Sequence, residues 1–264
     1  MLLIINYQRF NSKNMNKIKP DVDFTKVKPY NQDEEKTVQL ARMFNTISEK
    51  YDKFNDIMSW GMARVWRKQS LLALKKYNPK KILDIAAGTA DMCIKSYQYL
   101  NPDHVTGIDI SDRMLAMGRI KVANAQLSDK IELQVQDCSD LSFADGSFDA
   151  ATIAFGIRNF EKLDKSLLQI HRVLKPGGHL LILEMNEPQK GLLFKGYQLY
   201  TRIFVRMTAK YLSNDKVAYD YLTASMHAFP NREKLIDILI ANGFKLNKYR
   251  NFTFGVCSMY LVEK

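Results

Sequence analysis

The chain has 264 residues, of which 46% are apolar and 25% charged, with a formal net charge of +11. These are ordinary globular values, and they exclude collagenous, disordered and disulfide-dense classes. The three cysteines, Cys93, Cys138 and Cys257, make no Cys-x-x-Cys pair and no Cys/His ligand spacing, so the expectation is no metal site, free thiols and a reducing compartment.

Residues 1–34 are polar, basic and without periodicity, and a flexible N-terminal arm is expected there, ahead of a single domain over 35–264. Its apolar start, Met1 to Ile5, is too short for a signal-peptide core or a membrane span. Between Glu35 and Tyr77, Leu40, Met43, Phe44, Ile47 and Tyr51 recur at helical spacing. Lys81 to Ala86 then reads as a strand, followed by the small-residue turn Ala87-Gly88-Thr89-Ala90 and a helix over 91–100. The pattern repeats with a strand at 104–109 and a helix at 112–125, and with further strands at 131–135 and 148–154. A helix over 161–174 is expected to stop at Lys175-Pro176-Gly177-Gly178, before a fifth strand at 180–185. A helix at 231–242, stopped by Gly243, leads into a hairpin of strands at 244–251 and 255–262. Short apolar strands alternating with helices mean a doubly wound, mostly parallel α/β sheet covered on both faces.

In such sheets a ligand sits at the carboxyl ends of the strands, where the strand order reverses. The turn after the first strand is therefore the place to look. Gly88 can adopt backbone torsions closed to other residues and lets a ligand approach the main chain. Thr89 can cap the next helix or offer a hydroxyl to a ligand. The turn lacks the full Gly-x-Gly-x-x-Gly pattern. Asp109 ends the second strand, where a carboxylate accepts hydrogen bonds from both ribose hydroxyls. Ser111 is the better cap for the following helix, which leaves Asp109 free, and Ile110 can pack on an adenine face. After the third strand, Asp137 can accept from the exocyclic amine of adenine and the Cys138 N–H can donate to the ring. The alternative for Asp137 is a loop carboxylate capping nearby amides. Asp84 and Asp91 flank the first turn, and acids there suit a cationic ligand such as S-adenosylmethionine better than a pyrophosphate.

Several segments together resemble the ubiquinone/menaquinone biosynthesis C-methyltransferase family. They are Tyr51-Asp52-Lys53-Phe54-Asn55-Asp56-Ile57-Met58-Ser59-Trp60-Gly61, Phe155-Gly156-Ile157-Arg158-Asn159, Arg172 to Gly178 with Leu183-Glu184, and Tyr221-Leu222 with Ser225 and Phe229-Pro230. The likeness extends over roughly residues 38–262. It implies a class I S-adenosylmethionine-dependent methyltransferase fold, and cofactor binding through Thr89, Asp109 and the Asp137-Cys138 pair. It also implies a polyprenylated quinol methylated on a ring carbon, demethylmenaquinol first and a ubiquinone-pathway benzoquinol as the alternative. Ala86, Ala87 and Ala90 depart from the more glycine-rich turn usual in this fold. Ala154 stands where some members carry serine and is assigned no ligand contact.

Ring carbon is a poor nucleophile until a neighbouring phenol loses its proton, and a phenol of pKa near 10 mostly keeps it at neutral pH. Arg158, just beyond the fourth strand, is the expected stabiliser of the oxyanion, directly or through water, with a structural pairing to a local carboxylate as the alternative. Asn159 is expected to orient a substrate oxygen. His227 and Tyr51 are conceivable proton acceptors. The segment Lys190 to Leu212 carries five basic and no acidic residues, with Arg202, Arg206 and Lys210 at four-residue spacing. A basic amphipathic helix there, within a helical lid near 190–230, suits peripheral contact with an anionic membrane at the cytoplasmic face. No nucleic-acid motif accompanies the charge, so no nucleic-acid partner is expected, and a homo-oligomer is left open. The competing functions are a methyltransferase of another small molecule, a silent subunit of a quinone-biosynthetic complex and a nicotinamide-dependent oxidoreductase.

Overall fold

The computed structural model describes residues 23–186 and 216–264, and the basic segment from Lys190 to Leu212 lies outside them. Seven strands form one sheet: β1 (Lys81–Ile85), β2 (His104–Asp109), β3 (Ile131–Val135), β4 (Phe148–Ala154), β5 (Leu174–Met185), β6 (Lys245–Phe252) and β7 (Cys257–Glu263). Their order is β3-β2-β1-β4-β5-β7-β6. The first five are parallel, and β7 runs antiparallel between β5 and β6. The order reverses between β1 and β4, so the crevice expected at a switch point falls there. The central strands are apolar on both faces, as a sheet covered by helices on both sides requires. Ile82, Leu83, Ala151, Ile153 and Leu180 to Leu183 are all buried.

Three helices precede the sheet: α1 (Lys36–Ile47), α2 (Tyr51–Met58) and α3 (Met62–Leu74). Then come α4 (Asp91–Leu100), α5 (Asp112–Asn124), α6 (Leu163–Val173), α7 (Lys216–Ala228) and α8 (Glu233–Ala241). The apolar spacing that predicts α1 holds, with Leu40 and Met43 buried. The Glu161 carboxylate closes its N-terminus, accepting from the Lys36 N–H at 3.0 Å and the Thr37 N–H at 2.9 Å. A carboxylate there answers both the unpaired amides and the positive end of the helix dipole.

Two boundaries differ from expectation. The stretch read as a loose arm is anchored from Asp23 onward: Phe24 is buried, its ring edge-on to Phe229 at 5.2 Å. The Lys175-Pro176-Gly177-Gly178 turn lies inside β5 rather than before it. Leu174 is already extended and pairs with Phe148, the register shifts, and pairing resumes at His179 with Ala150. Gly177, at φ +73, supplies the backbone conformation of this irregularity. Proline and glycine thus end the helix as expected but do not delay the strand.

Candidate active site

Two joined cavities open at the carboxyl edge of the sheet. The first, about 780 Å³, is bordered by Gly88, Asp109, Ile110, Asp137, Cys138 and Phe155. The second, about 630 Å³, is bordered by Ile47, Phe54, Arg158, Tyr221 and Leu222. Phe44, Tyr51 and Asn159 border both. Helices α1 and α2 therefore form a roof shared by the two chambers, with Phe44 and Tyr51 in edge-to-face contact at 6.1 Å.

The first chamber is built by the ends of β1 to β4. Gly88 has φ +54, and a Cβ there would meet nothing within 4 Å, so backbone conformation and open approach, not crowding, call for glycine. Its N–H donates to Asp109 Oδ2 at 2.9 Å. Asp109 Oδ1 accepts from the Ser111 N–H at 2.8 Å. Ser111 caps α5 as expected, its hydroxyl oxygen accepting from the Met114 N–H at 3.2 Å. Asp109 is nevertheless not left free, since both oxygens hold an amide. A carboxylate oxygen has two lone pairs, so each still has acceptor capacity toward the cavity. Burial pushes the Asp109 carboxyl up from its usual value. Asp137 both borders the cavity and caps its own loop, accepting from the Ser139 N–H at 2.8 Å. The Cys138 thiol is buried, donates to Ser166 Oγ at 3.3 Å, and is pushed up by that burial to about 12. Ala154, expected to make no ligand contact, forms part of the wall.

Alanine replaces glycine at two left-handed positions of the turn, Ala86 at φ +56 and Ala90 at φ +65. The Ala86 methyl lies 2.5 Å from where a Cβ on Gly156 would stand. Gly156, after β4, is thus matched to the alanine after β1.

Three residues near the turn take other work. Thr89 borders neither cavity and does not cap α4, whose cap residue is Ala90. Its hydroxyl donates to Asp52 Oδ1 on α2 at 2.5 Å. Lys121 of α5 joins the same cluster, its Nζ donating to Asp52 Oδ2 at 2.8 Å, to Thr89 Oγ1 at 3.2 Å and to Asp91. Asp91 is therefore neutralised by Lys121 rather than turned toward a ligand. Asp84 is buried below the turn and accepts from Thr152 Oγ1 at 2.6 Å and Cys93 Sγ at 3.1 Å. Its position inside the sheet, not the composition of the turn, decides its partners.

In the second chamber Arg158 is 7% exposed. One terminal nitrogen donates to Glu184 Oε1 and to the Phe155 carbonyl, both at 2.6 Å. Its Nε has no hydrogen-bond partner among the described residues. The structure shows the pairing with a carboxylate that was the alternative for this arginine, and it also places Arg158 at the border of the second chamber. Asn159 Oδ1 accepts from the Tyr221 hydroxyl at 3.0 Å. Burial pushes the phenols of Tyr51 and Tyr221 up. Tyr51 therefore keeps its proton at neutral pH where the two chambers meet, and His227 borders neither cavity. Sequence reasoning gave no role to Glu184 or Tyr221. The signal for Glu184 was present: a lone carboxylate closing the apolar run Leu180 to Leu183 needs a buried cation.

The chain matches the ubiE/COQ5 methyltransferase family over residues 31–264. It is 42% identical to a demethylmenaquinone methyltransferase of Bacteroides fragilis over 239 residues, covering 90% of this chain and 98% of that protein. It is 35% identical to the ubiquinone/menaquinone biosynthesis C-methyltransferase UbiE of Pseudomonas putida, covering 86% and 89% of the two chains. Among solved structures it resembles the [4+2]-cyclase SpnF, with TM-score 0.63 and 15% identity over 86% of this chain and 96% of that one. It also resembles a possible histamine N-methyltransferase of Thermotoga maritima described as S-adenosylmethionine-dependent, with TM-score 0.55 and 17% identity over 84% and 99%. At those identities the structures speak for the fold alone, which is the class I methyltransferase fold expected from sequence. Fold, a family match over most of the chain and the similar relatives agree: this chain belongs to the ubiE/COQ5 methyltransferase family.

Proposed function

We propose that this enzyme transfers a methyl group from S-adenosylmethionine to a ring carbon of demethylmenaquinol, forming menaquinol. The observation that supports it best is the junction of the chambers. A chamber carrying the carboxylates of an adenosine-type site meets a more apolar, aromatic one at Phe44, Tyr51 and Asn159. The name of the Bacteroides fragilis relative points to the same acceptor.

The residues of the first chamber fit the methyl donor. Its charged walls are Asp109, Asp137, Glu161 and Lys162, three acids to one base, which favours a cationic ligand over a pyrophosphate. Asp109 would hold the ribose hydroxyls, and Asp137 with the Cys138 main chain the adenine edge, with Ile110 against its face. The cofactor supplies an electrophilic methyl carried on a sulfonium. Everything else falls to the chain: positioning the reactants, excluding water and steadying the acceptor oxygen.

In the second chamber Phe44, Phe54, Tyr51 and Tyr221 offer flat surfaces to a bicyclic ring. The Arg158 guanidinium stabilises the oxyanion left when the quinol hydroxyl gives up its proton. Asn159, its side-chain oxygen held by Tyr221, presents its amide N–H₂ to the same oxygen. No carboxylate or histidine borders this chamber among the described residues, so the hydroxyl proton leaves to water. The polyprenyl tail keeps the acceptor in a bilayer, and no described helix is long and apolar enough to cross one. The enzyme thus meets its acceptor by peripheral contact with an anionic membrane, at the cytoplasmic face.

Methyl transfer from labelled S-adenosylmethionine to chemically reduced demethylmenaquinol in detergent, beside a demethylated benzoquinol, tests the proposal. Label on the naphthoquinol ring is expected. Label on the benzoquinol alone, or on neither, overturns the acceptor assignment.

A further inference from the structure

The corner between α2 and α3 exposes an unusual set of apolar side chains. Trp60 is 79% exposed, and Ile57 and Val65 beside it are 37% and 41% exposed. Phe254, in the connection between β6 and β7, is 80% exposed. The Trp66 indole N–H donates to Thr253 Oγ1 at 3.0 Å, which brings the connection carrying Phe254 against α3.

This surface lies on the cavity-bearing edge of the sheet. Trp66 is 6.5 Å from Phe155, which follows β4 at its carboxyl end, and α3 then descends along the sheet, where Leu71 and Leu74 pack in one core with Ile82. Trp60, preceding α3, therefore stands at the upper end. Cys257 pairs with Met185, the last residue of β5, which puts the β6–β7 connection at the same end. Helix α2, which carries Tyr51 over both chambers, runs directly into this corner.

Two further features separate the patch from scattered surface apolar residues. Trp60 and Phe254 both occupy left-handed backbone, at φ 51 and φ 56. That backbone is uncommon for a bulky residue, and both rings are exposed nonetheless. The elements that flank them also bear exposed basic side chains: Lys50 and Lys53 at the start of α2, Arg64 and Lys68 on α3, and Arg250 on β6. Arg64 also pairs with Asp56. Aromatic rings rimmed by lysine and arginine are the side-chain set of an anionic bilayer interface.

We propose that this corner is the membrane-docking surface of the enzyme, with Trp60 and Phe254 entering the headgroup region of an anionic bilayer. The proposal rests on the reading that the acceptor is a membrane-resident quinol. Docking here presents the edge carrying both chambers to the lipid phase from which the acceptor must come.

Trp60 and Trp66 are the two tryptophans of the chain, and Trp66 is buried. Emission of the full-length protein is measured on phosphatidylglycerol/phosphatidylcholine vesicles with and without brominated acyl chains. Quenching is expected in the natural protein and is expected to vanish in Trp60→Asn, asparagine being tolerant of left-handed backbone. The double variant Trp60→Asn/Phe254→Asn is expected to lose roughly tenfold or more in vesicle affinity, the least that withdrawing two aromatic side chains should cost. Its rate on vesicle-embedded quinol should fall in step, while its rate on a short-tailed soluble quinol stays unchanged. Vesicle binding without quenching of Trp60, or undiminished binding by the double variant, overturns the proposal. If the natural protein is quenched yet methylates no soluble quinol, the acceptor reading fails instead.

Discussion

Arg158 and Glu184 lie 2.6 Å apart with almost no solvent at either side chain. Desolvating such a pair is expensive, and removing one partner strands the other as a buried charge. Arg158→Met is therefore expected to cost roughly 3–5 kcal/mol of stability, and adding Glu184→Gln to restore much of it. Under the proposed role of Arg158 in steadying the acceptor oxyanion, activity should not return; a fall in kcat of roughly 10²–10³ is expected in both variants, with S-adenosylhomocysteine affinity preserved. Thermal denaturation, calorimetry and kinetics on the two variants check this. Asp84 gives a second residue-scale prediction. Burial raises its carboxyl to about 6, above its unfolded value, so the folded state favours the protonated form. Its contribution is fully present below the unfolded pKa and fades as pH rises through about 6, a change of about 2–3 kcal/mol. Asp84→Asn should flatten that part of a stability–pH profile between pH 4 and 7; an unchanged profile would count against the assignment. Asp84 and Asp109 were both legible as important acids, but their partners were not. Whether a carboxylate faces a cavity or a threonine depends on which side of a strand end it leaves, and periodicity does not resolve the last residue before a turn.

Helix α2 spans only eight residues and buries no side chain fully. A helix this short is not stable alone, so tertiary contacts hold it. The Asp52 carboxylate, gripped by Thr89 and Lys121, is the polar contact that pins it to the cofactor turn. Asp52→Ala should loosen the roof without disturbing the sheet. Amide exchange across 51–58 is expected to speed up at least about tenfold, with β1, β4 and β5 unchanged, and the KM for quinol to rise. Uniform loss of protection would show a global defect instead. The Tyr51-Asp52 segment was recognisable only as a family signature, since a latch between residues 37 positions apart has no local pattern. The alternation of strands and helices, by contrast, was readable throughout. The misplaced start of β5 came from treating proline and glycine as a loop, when an irregular strand accommodates both at its first residues.

At the scale of the molecule, the strand order brings distant segments to one edge. The turns after β1, β2, β3 and β4 line the first chamber, while α1, α2 and α7 close the second. The alternation of apolar strands with helices predicted the sheet, and family likeness predicted the reaction, but neither showed that the two chambers share a roof. The same close packing also decides the chemistry of the thiols. Cys93, Cys138 and Cys257 are all buried and unpaired, and burial raises each thiol well above the range in which thiolate forms. A thiolate is the reactive species, so the native chain should resist alkylation and mild oxidants for as long as it stays folded. Counting modified cysteines by mass after brief exposure to a maleimide is expected to give none in the native state and three in denaturant. An engineer who wants a spectroscopic label on this enzyme can therefore add one surface cysteine and leave the three native ones in place.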